Sequence, residues 1–358
     1  MSESSGDPIP PSFLYTMIPL NLVVGVTIII LNSLVGHFYR KGKRSTAALL
    51  YTYLTGWDVT MGVTAVIHAV YMIITVTSDV KAMEETMKVL VCVVYVMTNL
   101  AVRLSVFANT VLSVVRTINI SQPFYRVRRR NLHIVYWVCF VIHLILCAVD
   151  IWFIYKEKMK QNSGSSATFE TFRNDMLLSP ALGNNILDEM IYKRPGTTLK
   201  RDTLVSNGFF HLATLIAIIC LAIQSRVLLC NPDAKAMRKN TVSSRVAPAP
   251  STNQPDEPGS KTEDSEKQSS EWRTTITIIQ LTTVFCLCNT VYTLFVIWLL
   301  DDTKRRVQGE VSNIEMSDRM CFYVTSTFVP FLNSLINPLI LIVRSDGVRQ
   351  FVISKLGF

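Results

Sequence analysis

Residues 18–39 have the sequence IPLNLVVGVTIIILNSLVGHFY, and this stretch decides the class of fold. It contains no Asp, Glu, Lys or Arg, and it is as long as the roughly 20 residues that an α-helix needs to cross the hydrocarbon core of a bilayer. Because lipid cannot satisfy backbone N–H and C=O groups, a spanning segment of this kind must be helical. Residues 18–39 therefore predict a transmembrane helix.

Further segments of similar character follow along the chain. The whole chain is 49% hydrophobic and only 17% charged, whereas soluble domains carry about a quarter charged residues. The sequence therefore predicts an all-α membrane protein, a seven-transmembrane helix bundle surrounded by the lipid bilayer, and it disfavours a nucleic-acid binder despite the net charge of +9. The predicted spans are 18–39, 47–77, 89–118, 132–155, 204–229, 274–300 and 321–343.

The distribution of basic residues predicts the orientation of the bundle. Basic residues without acids fill the segments 40–44 and 126–130, which are therefore cytoplasmic by the positive-inside rule. Residues 1–17 are then an extracellular N-terminus of a multi-pass plasma-membrane protein, and 344–358 are a short cytoplasmic tail. That tail predicts an amphipathic helix on the inner leaflet. The Pro-, Ser- and charge-rich residues 231–271 predict a disordered third cytoplasmic loop.

The sequence offers no pattern typical of a catalytic or cofactor site. Eight cysteines lack the C-x-x-C pairs of a zinc site, and no nucleophile–base or phosphate-loop pattern occurs. We therefore expect no enzyme, no cofactor and no structural metal.

Polar residues inside the predicted spans are the functional candidates, because an ionisable group in a membrane helix is costly and usually faces the bundle interior. Asp58, in the middle of span two, is the first of them. Residues at helical spacing on other spans would converge around it, although ordinary interhelical hydrogen bonds are an alternative explanation. This set comprises Asn32, Asp58, Ser105, Asn109, Arg116, Asn333 and Asn337.

Other polar residues in the spans are harder to interpret. Pro338 should free a backbone carbonyl and therefore bend span seven at the point where Asn337 can use the gap. Arg103 faces a ligand cavity, pairs with a buried acid or packs structurally, and the sequence does not separate these three options. Structural or interfacial roles are expected for His143, Asp150 and His211.

Several of these residues belong to recognisable strings: Asn32-Ser33-Leu34-Val35, Asp58 preceded by Leu54, Arg116 with Pro123 seven residues later, and Asn333-Ser334-Leu335-Ile336-Asn337-Pro338-Leu339-Ile340. Together they resemble the rhodopsin-like family of G-protein-coupled receptors over nearly the whole transmembrane chain. The departures are equally specific. The family's Asp-Arg-Tyr is Val115-Arg116-Thr117 here, its Asn-Pro-x-x-Tyr lacks the tyrosine, and Val291 replaces the proline of span six. Cys92 has no cysteine partner in the second outer loop, and a pair with Cys321 requires Cα atoms within about 7 Å.

The resemblance implies a receptor that binds an extracellular ligand and activates a heterotrimeric G protein on the cytoplasmic face. A seven-span transporter or channel, and a receptor-like binding protein without signalling, are the alternatives. The resemblance assigns G-protein coupling and activation to Arg116, Glu271, Asn337 and Pro338. It also implies that Glu271 pairs with Arg116 across spans three and six. It also implies a sodium site in the polar core formed by Asn32, Asp58, Ser105, Asn333 and Asn337.

The resemblance also narrows the ligand. Thr98 stands where amine receptors carry an aspartate, and Phe331 replaces the retinal-linking lysine of opsins, so a peptide or a small organic molecule is expected. Candidate contacts lie in the outer thirds of the spans, where an aromatic belt at the membrane interface is the alternative. The candidates are His68, Tyr71, Tyr95, Thr98, Asn99, Tyr292, Phe295, Phe322, Tyr323 and Thr327.

Overall fold

The computed structural model describes residues 11–41, 45–77, 84–122, 127–154, 198–230, 273–291, 294, 324 and 328–357. Within these residues the regular structure is helical and no strand occurs. The helices, in chain order, are α1 (Pro11–Lys41), α2 (Thr46–Thr77), α3 (Glu84–Ser121), α4 (Arg129–Ile154), α5 (Thr198–Cys230), α6 (Arg273–Val291), α7 (Val329–Arg344) and α8 (Asp346–Leu356).

Four of the described helices contain segments long and apolar enough to cross a membrane. These segments are Ser12–Lys41, Thr46–Ile74, Val96–Ser121 and Arg273–Val291. Shorter apolar helices, His211–Val227 and Val329–Arg344, lie in α5 and α7. The expectation of an all-helical membrane protein is confirmed at this level.

The distribution of side chains is that of a protein in an apolar solvent. Large hydrophobic side chains lie on the outside, among them Val23 at 66% exposure and Trp137 at 62%. Polar side chains such as Asn32, Asp58 and Gln224 are buried at 0–1% exposure. In water this arrangement would be unfavourable, because large apolar side chains would be exposed to solvent. In lipid an apolar exterior is favourable, and polar groups form hydrogen bonds inside the bundle.

Helices α1 and α2 cross at glycines. A Cβ atom on Gly25 would lie 2.9 Å from the carbonyl oxygen of Gly62, and one on Gly62 would lie 2.8 Å from that of Gly25. Neither backbone can tolerate a side chain at this point, so the two glycines allow the closest approach of the pair. Small residues of this kind are typical of helix contacts in membranes.

Helix α3 occupies the centre of the bundle and packs against α2, α4 and α5. Two apolar clusters surround it. One joins Leu112 and Val115 of α3 to Leu54 of α2 and Leu281 of α6, and the other joins Ala101 of α3 to neighbouring helices. Polar residues of α3 therefore contact α2, α5 and α6.

Helix α8 begins directly after α7. Ser345 ends α7, and its hydroxyl oxygen accepts a hydrogen bond from the N–H of Val348 at 3.4 Å, which caps the new helix. Gly357 ends α8 with a φ of 80°, the left-handed conformation that glycine adopts at the lowest cost. The predicted short C-terminal helix is therefore present, with Val348 and Val352 buried.

Several helices begin earlier than predicted: α1 at Pro11, α3 at Glu84 and α5 at Thr198, in place of 18, 89 and 204. Helix α1 begins at Pro11, before the predicted Ile18, because residues 12–17 continue the apolar sequence and proline suits the first position of a helix. Residues 11–17 of the predicted extracellular N-terminus thus belong to α1. The predicted loop 231–271 lies outside the described residues.

Candidate functional site

Asp58 is the centre of a buried polar cluster in which α2, α3 and α7 meet. Its side chain has 0% exposure. The hydroxyl of Ser105 donates to Oδ1 at 3.0 Å, the hydroxyl of Ser334 donates to the same oxygen at 2.8 Å, and Nδ2 of Asn337 donates to Oδ2 at 2.9 Å. Each donor comes from α3 or α7, so the carboxylate of α2 links these helices. We call these four residues the Asp58 cluster.

Asn32 joins α1 to this cluster through the backbone of α7. Pro338 has no N–H, so the carbonyl oxygen of Ser334, four residues earlier, has no helical donor. Nδ2 of Asn32 donates to that oxygen at 3.0 Å and to the carbonyl of Ile28 at 3.1 Å. Asn337 turns its amide to Asp58, and Asn32 takes the carbonyl that Pro338 frees.

The oxygen atoms around Asp58 are of the kind that bind a hard cation. One carboxylate and two hydroxyls meet there, and Asn337, which donates to Asp58, has a buried Oδ1 without a hydrogen bond. Such oxygens are the ligands that sodium takes in proteins. Of the predicted sodium ligands, Ser105 and Asn337 contact Asp58 directly. Asn333 is buried on α7, four residues before Asn337. The residues therefore fit a sodium ion, which Asp58, Ser105 and Ser334 would hold.

Arg116 belongs to a second cluster, in which α3 meets α6. Its guanidinium donates through Nη2 to the hydroxyl of Thr275. Three residues before Arg116, the hydroxyl of Ser113 forms a hydrogen bond of 2.7 Å with that of Thr282. Thr275 and Thr282 are two turns apart on one face of α6. The later residue of α3 contacts the earlier residue of α6, so the two helices are antiparallel. Glu271, the predicted partner of Arg116, lies outside the described residues.

Helix α5 joins this second cluster through Gln224. Its Nε2 donates to the carbonyl oxygen of Ser113 at 3.0 Å and to the hydroxyl of Thr117 at 2.9 Å. The amide is fully buried. We call this group the Arg116 cluster, and it comprises Ser113, Arg116, Thr117, Gln224, Thr275 and Thr282. It connects three helices by hydroxyl and amide groups around a single guanidinium.

The predicted ligand contacts are described only in part. His68, Tyr71 and Thr98 are each buried at 0% exposure on α2 and α3. The side chains of Tyr95 and Asn99 lie outside the described part of α3. The side chain of Cys92, on α3, is likewise not described. The remaining candidates and the possible partner of Cys92 lie outside the described residues, namely Tyr292, Phe295, Phe322, Tyr323, Thr327 and Cys321.

Arg103 faces α4. It is 4% exposed, and its Nη1 lies 4.0 Å from Sγ of Cys147. On α4, Nδ1 of His143 donates to the carbonyl oxygen of Cys139 in the preceding turn at 2.6 Å. The structure thus places Arg103 between α3 and α4.

Several residues of the two clusters were missed from the sequence. Ser334 lies within the quoted Asn-Ser-Leu-Ile-Asn-Pro string, three residues before Asn337, and therefore on the same helical face. Gln224 is an amide within an apolar span, which is the criterion that singled out Asn32 and Asp58. The threonines of α6 gave no comparable signal, because a threonine hydroxyl can bond its own preceding turn anywhere in a helix, as Thr277 does.

Comparison with known proteins adds no assignment to this geometry. No family model matches the sequence, and no curated protein matches it significantly.

Proposed function

We propose that this protein is a seven-helix receptor of the rhodopsin-like type, which binds an extracellular peptide or small organic molecule and activates a heterotrimeric G protein. The observation that carries the proposal is the Asp58 cluster. Residues of separate motifs, Asp58, Ser105 and Asn337, are far apart in sequence and share hydrogen bonds at 2.9–3.0 Å. That convergence is what the resemblance to the family requires.

The proposed count of seven spans adds α4, α5 and α7 to the four helices already identified. Helix α4 has 26 residues and α5 has 33, which exceeds the roughly 20 residues that a span needs. Helix α7 is described from Val329 to Arg344, and its predicted start at Cys321 would lengthen it to a full span. With seven spans, the two termini of the chain lie on opposite sides of the membrane.

The proposed orientation places the basic end of the bundle in the cytoplasm. Arg40 and Lys41 end α1, and Arg344 ends α7. Arg129 and Arg130 begin α4 at the same end of the bundle as Arg116, because α3 and α4 are joined by a short connection. By the positive-inside rule this end is cytoplasmic. Arg116 then lies on the side of the G protein.

The Arg116 cluster supports a mechanism based on separation of α3 and α6. In the structure Thr275 holds the guanidinium and Thr282 holds Ser113. A movement of α6 away from α3 would break both contacts together and expose Arg116 to a cytoplasmic partner. An extracellular ligand that binds the separated arrangement more tightly would shift the population towards it. The receptor would thus couple its two sides through α6.

The proposal is tested by guanine nucleotide exchange on purified heterotrimeric G proteins. The full chain is reconstituted in lipid nanodiscs, and exchange is measured for wild type, Arg116→Ala and the control Arg128→Ala, which removes an exposed arginine of the same end. We expect wild type and Arg128→Ala to accelerate exchange on at least one G protein and Arg116→Ala to lose that acceleration.

Absence of any acceleration by wild type across all classes of G protein, also in the presence of peptide and organic extracts, would contradict the proposal. Substrate or ion flux into liposomes containing the same protein would then favour a transporter or channel. Binding of an extracellular molecule without nucleotide exchange would favour a receptor-like binding protein.

A further inference from the structure

Two buried cysteines lie beside the Arg116 cluster, one on α5 and one on α6. Cys220 and Cys286 are 6% and 7% exposed, and both are free thiols in the structure. Neither residue takes part in the contacts that hold Arg116. Two thiols on separate helices can be joined by a disulfide only where the helices bring their Cα atoms close together.

Ser113 of α3 fixes the level at which α5 and α6 meet α3. Its carbonyl oxygen accepts a hydrogen bond of 3.0 Å from Nε2 of Gln224 on α5. Its hydroxyl forms a hydrogen bond of 2.7 Å with that of Thr282 on α6. Because one residue of α3 contacts both helices, Gln224 and Thr282 lie at the same height in the bundle.

Both cysteines lie one helical turn from these contacts and on the same side of them. Helix α6 is antiparallel to α3, whereas α5 is parallel to it, because later residues of α3 contact later residues of α5. Four residues back from Gln224 along α5 is Cys220, and four residues forward from Thr282 along α6 is Cys286. Residues four apart share a face of a helix. The two thiols therefore lie at one level, next to α3.

The packing around the two cysteines is compatible with a disulfide. Ala213 and Ala217, on the face of α5 that carries Cys220, belong to the same buried cluster as Cys286, and the two thiols interact electrostatically. Small residues let helices in a membrane approach closely. Packed helices have axes about 8–10 Å apart and Cα atoms about 2.3 Å from each axis. Facing Cα atoms can therefore reach the separation of about 4.4–6.8 Å that a disulfide spans.

We propose that Cys220 and Cys286 are a redox modification site, at which hydrogen peroxide forms a disulfide between α5 and α6. In the first step the sulfur of one cysteine attacks a peroxide oxygen, the O–O bond breaks, and a sulfenic acid and one water result. The sulfur of the other cysteine then attacks the sulfenic sulfur, the S–S bond forms, and the oxygen leaves as a second water. The two thiols lose two hydrogen atoms and two electrons, and one peroxide is reduced to two waters.

The disulfide would hold three helices together. Gln224 already binds α5 to α3, so a covalent link between α5 and α6 keeps α6 beside α3. Oxidation therefore opposes the separation of α3 and α6, and this consequence rests on the proposed function. The modification site itself does not depend on it. Burial also keeps soluble thiolates away from the sulfur atoms, so the bond should resist reduction.

The test maps cysteine pairs by mass spectrometry on the full chain in lipid nanodiscs. The protein is incubated with hydrogen peroxide, the remaining thiols are alkylated, and crosslinked peptides are identified. Wild type is compared with Cys286→Ala and with the matched control Cys288→Ala. Cys288 is two positions from Cys286 and therefore lies on a different face of α6. Wild type unfolded in detergent, treated in the same way, gives the pairing expected without the fold.

We expect a crosslink between Cys220 and Cys286 in wild type and in Cys288→Ala, and none in Cys286→Ala. In the unfolded protein this crosslink should be no more frequent than those between other cysteines. Oxidation should also raise the Tm of wild type but not that of Cys286→Ala, because the bond closes the chain segment 220–286 into a loop.

Separate alkylation of both thiols in the peroxide-treated wild type would contradict the proposal. So would their separate oxidation to sulfinic acids, or pairing of either with another cysteine. A crosslink that is equally frequent in the folded and unfolded protein would contradict it as well, because the fold would then have no part in the pairing. Formation of the disulfide in a protein that does not accelerate nucleotide exchange would support the site and count against the proposed function alone.

Discussion

The two polar clusters hold their helices together by different means. In the Asp58 cluster the charged group is a fully buried acceptor, and Ser105, Ser334 and Asn337 all donate to it. In the Arg116 cluster the charged group is a half-buried donor, and it donates to the neutral hydroxyl of Thr275 on α6.

This difference determines what each cluster can do. Removing donors from a buried carboxylate leaves a charge in a medium that cannot solvate it, which is strongly destabilising. A guanidinium near the end of a helix can instead exchange one hydroxyl partner for water or for another protein. The Asp58 cluster is therefore suited to hold α2, α3 and α7 together permanently, and the Arg116 cluster is suited to open.

The largest effect is expected from removing the α7 donors of Asp58. Ser334→Ala/Asn337→Ala should lower the free energy of unfolding by about 3–5 kcal/mol, since the carboxylate stays buried with fewer partners. This corresponds to a fall in Tm of roughly 10 °C, measured by thermal unfolding in detergent. Asn333→Ala is the control, because it removes a buried amide of α7 whose Oδ1 makes no hydrogen bond. Equal losses in the two variants would show that the carboxylate is not what joins these helices.

The next effect is a change of population rather than of stability. Thr275→Val keeps the shape of the side chain and removes the hydroxyl that accepts a hydrogen bond from Arg116. A hydrogen bond to a charged group contributes about 1.5–3 kcal/mol, so the population with α3 and α6 separated should rise at least about tenfold. Distances between spin labels at positions 128 and 273, obtained by double electron–electron resonance, measure this population. The control is Thr277→Val, whose hydroxyl bonds the carbonyl of Arg273 in its own helix. A distance distribution that stays unchanged in Thr275→Val would show that another contact keeps α6 in place.

A smaller effect is expected from sodium, and it should separate the two clusters. If sodium binds at Asp58, a concentration about five times the dissociation constant stabilises the protein by about 1 kcal/mol, which raises Tm by roughly 2–4 °C. Tm in sodium chloride is compared with Tm in choline chloride. Asp58→Asn should abolish the difference, whereas Thr275→Val should retain it. Persistence of the sodium effect in Asp58→Asn would place the ion elsewhere.

The smallest effect is expected at the surface, where α6 and α8 meet. Asp346→Asn removes the exposed ion pairs with Arg273 and Arg349. Exposed pairs of this type contribute about 0–1 kcal/mol, so Tm should change by no more than about 3 °C. Basal nucleotide exchange should remain at the wild-type level. A marked rise in exchange would make the contact of α6 with α8 part of the inactive state.

The Asp58 cluster was largely predictable from the sequence, and the Arg116 cluster was not. Asp58, Ser105 and Asn337 are polar residues in apolar spans, and the cost of leaving them unpaired in lipid is reason enough to place them together. Pro338 made a free carbonyl predictable as well. Its donor, Asn32, could not be identified, because the choice depends on how closely α1 approaches α7.

The Arg116 cluster depends on details that a periodic pattern does not contain. Arg116 was identified, but the threonines that surround it resemble other threonines in the spans until α6 is placed against α3. The approach of α1 to α2 is similar, since Gly25 and Gly62 show their importance only when the two helices are placed together, where a Cβ atom on either glycine would lie 2.8–2.9 Å from the carbonyl oxygen of the other. Sequence periodicity indicates which face of a helix is buried, whereas the identity of the neighbour requires the three-dimensional packing.

We propose that the contact between Arg116 and Thr275 restrains the protein and that Arg116, once released, acts on a G protein. The most direct test is nucleotide exchange on a purified G protein by Thr275→Val and by Thr275→Val/Arg116→Ala, at equal receptor concentration in nanodiscs. We expect Thr275→Val to accelerate exchange roughly tenfold over wild type, and we expect the double variant to show no acceleration. Equal acceleration by the single and double variants would contradict the account, because Arg116 would then have no part in coupling.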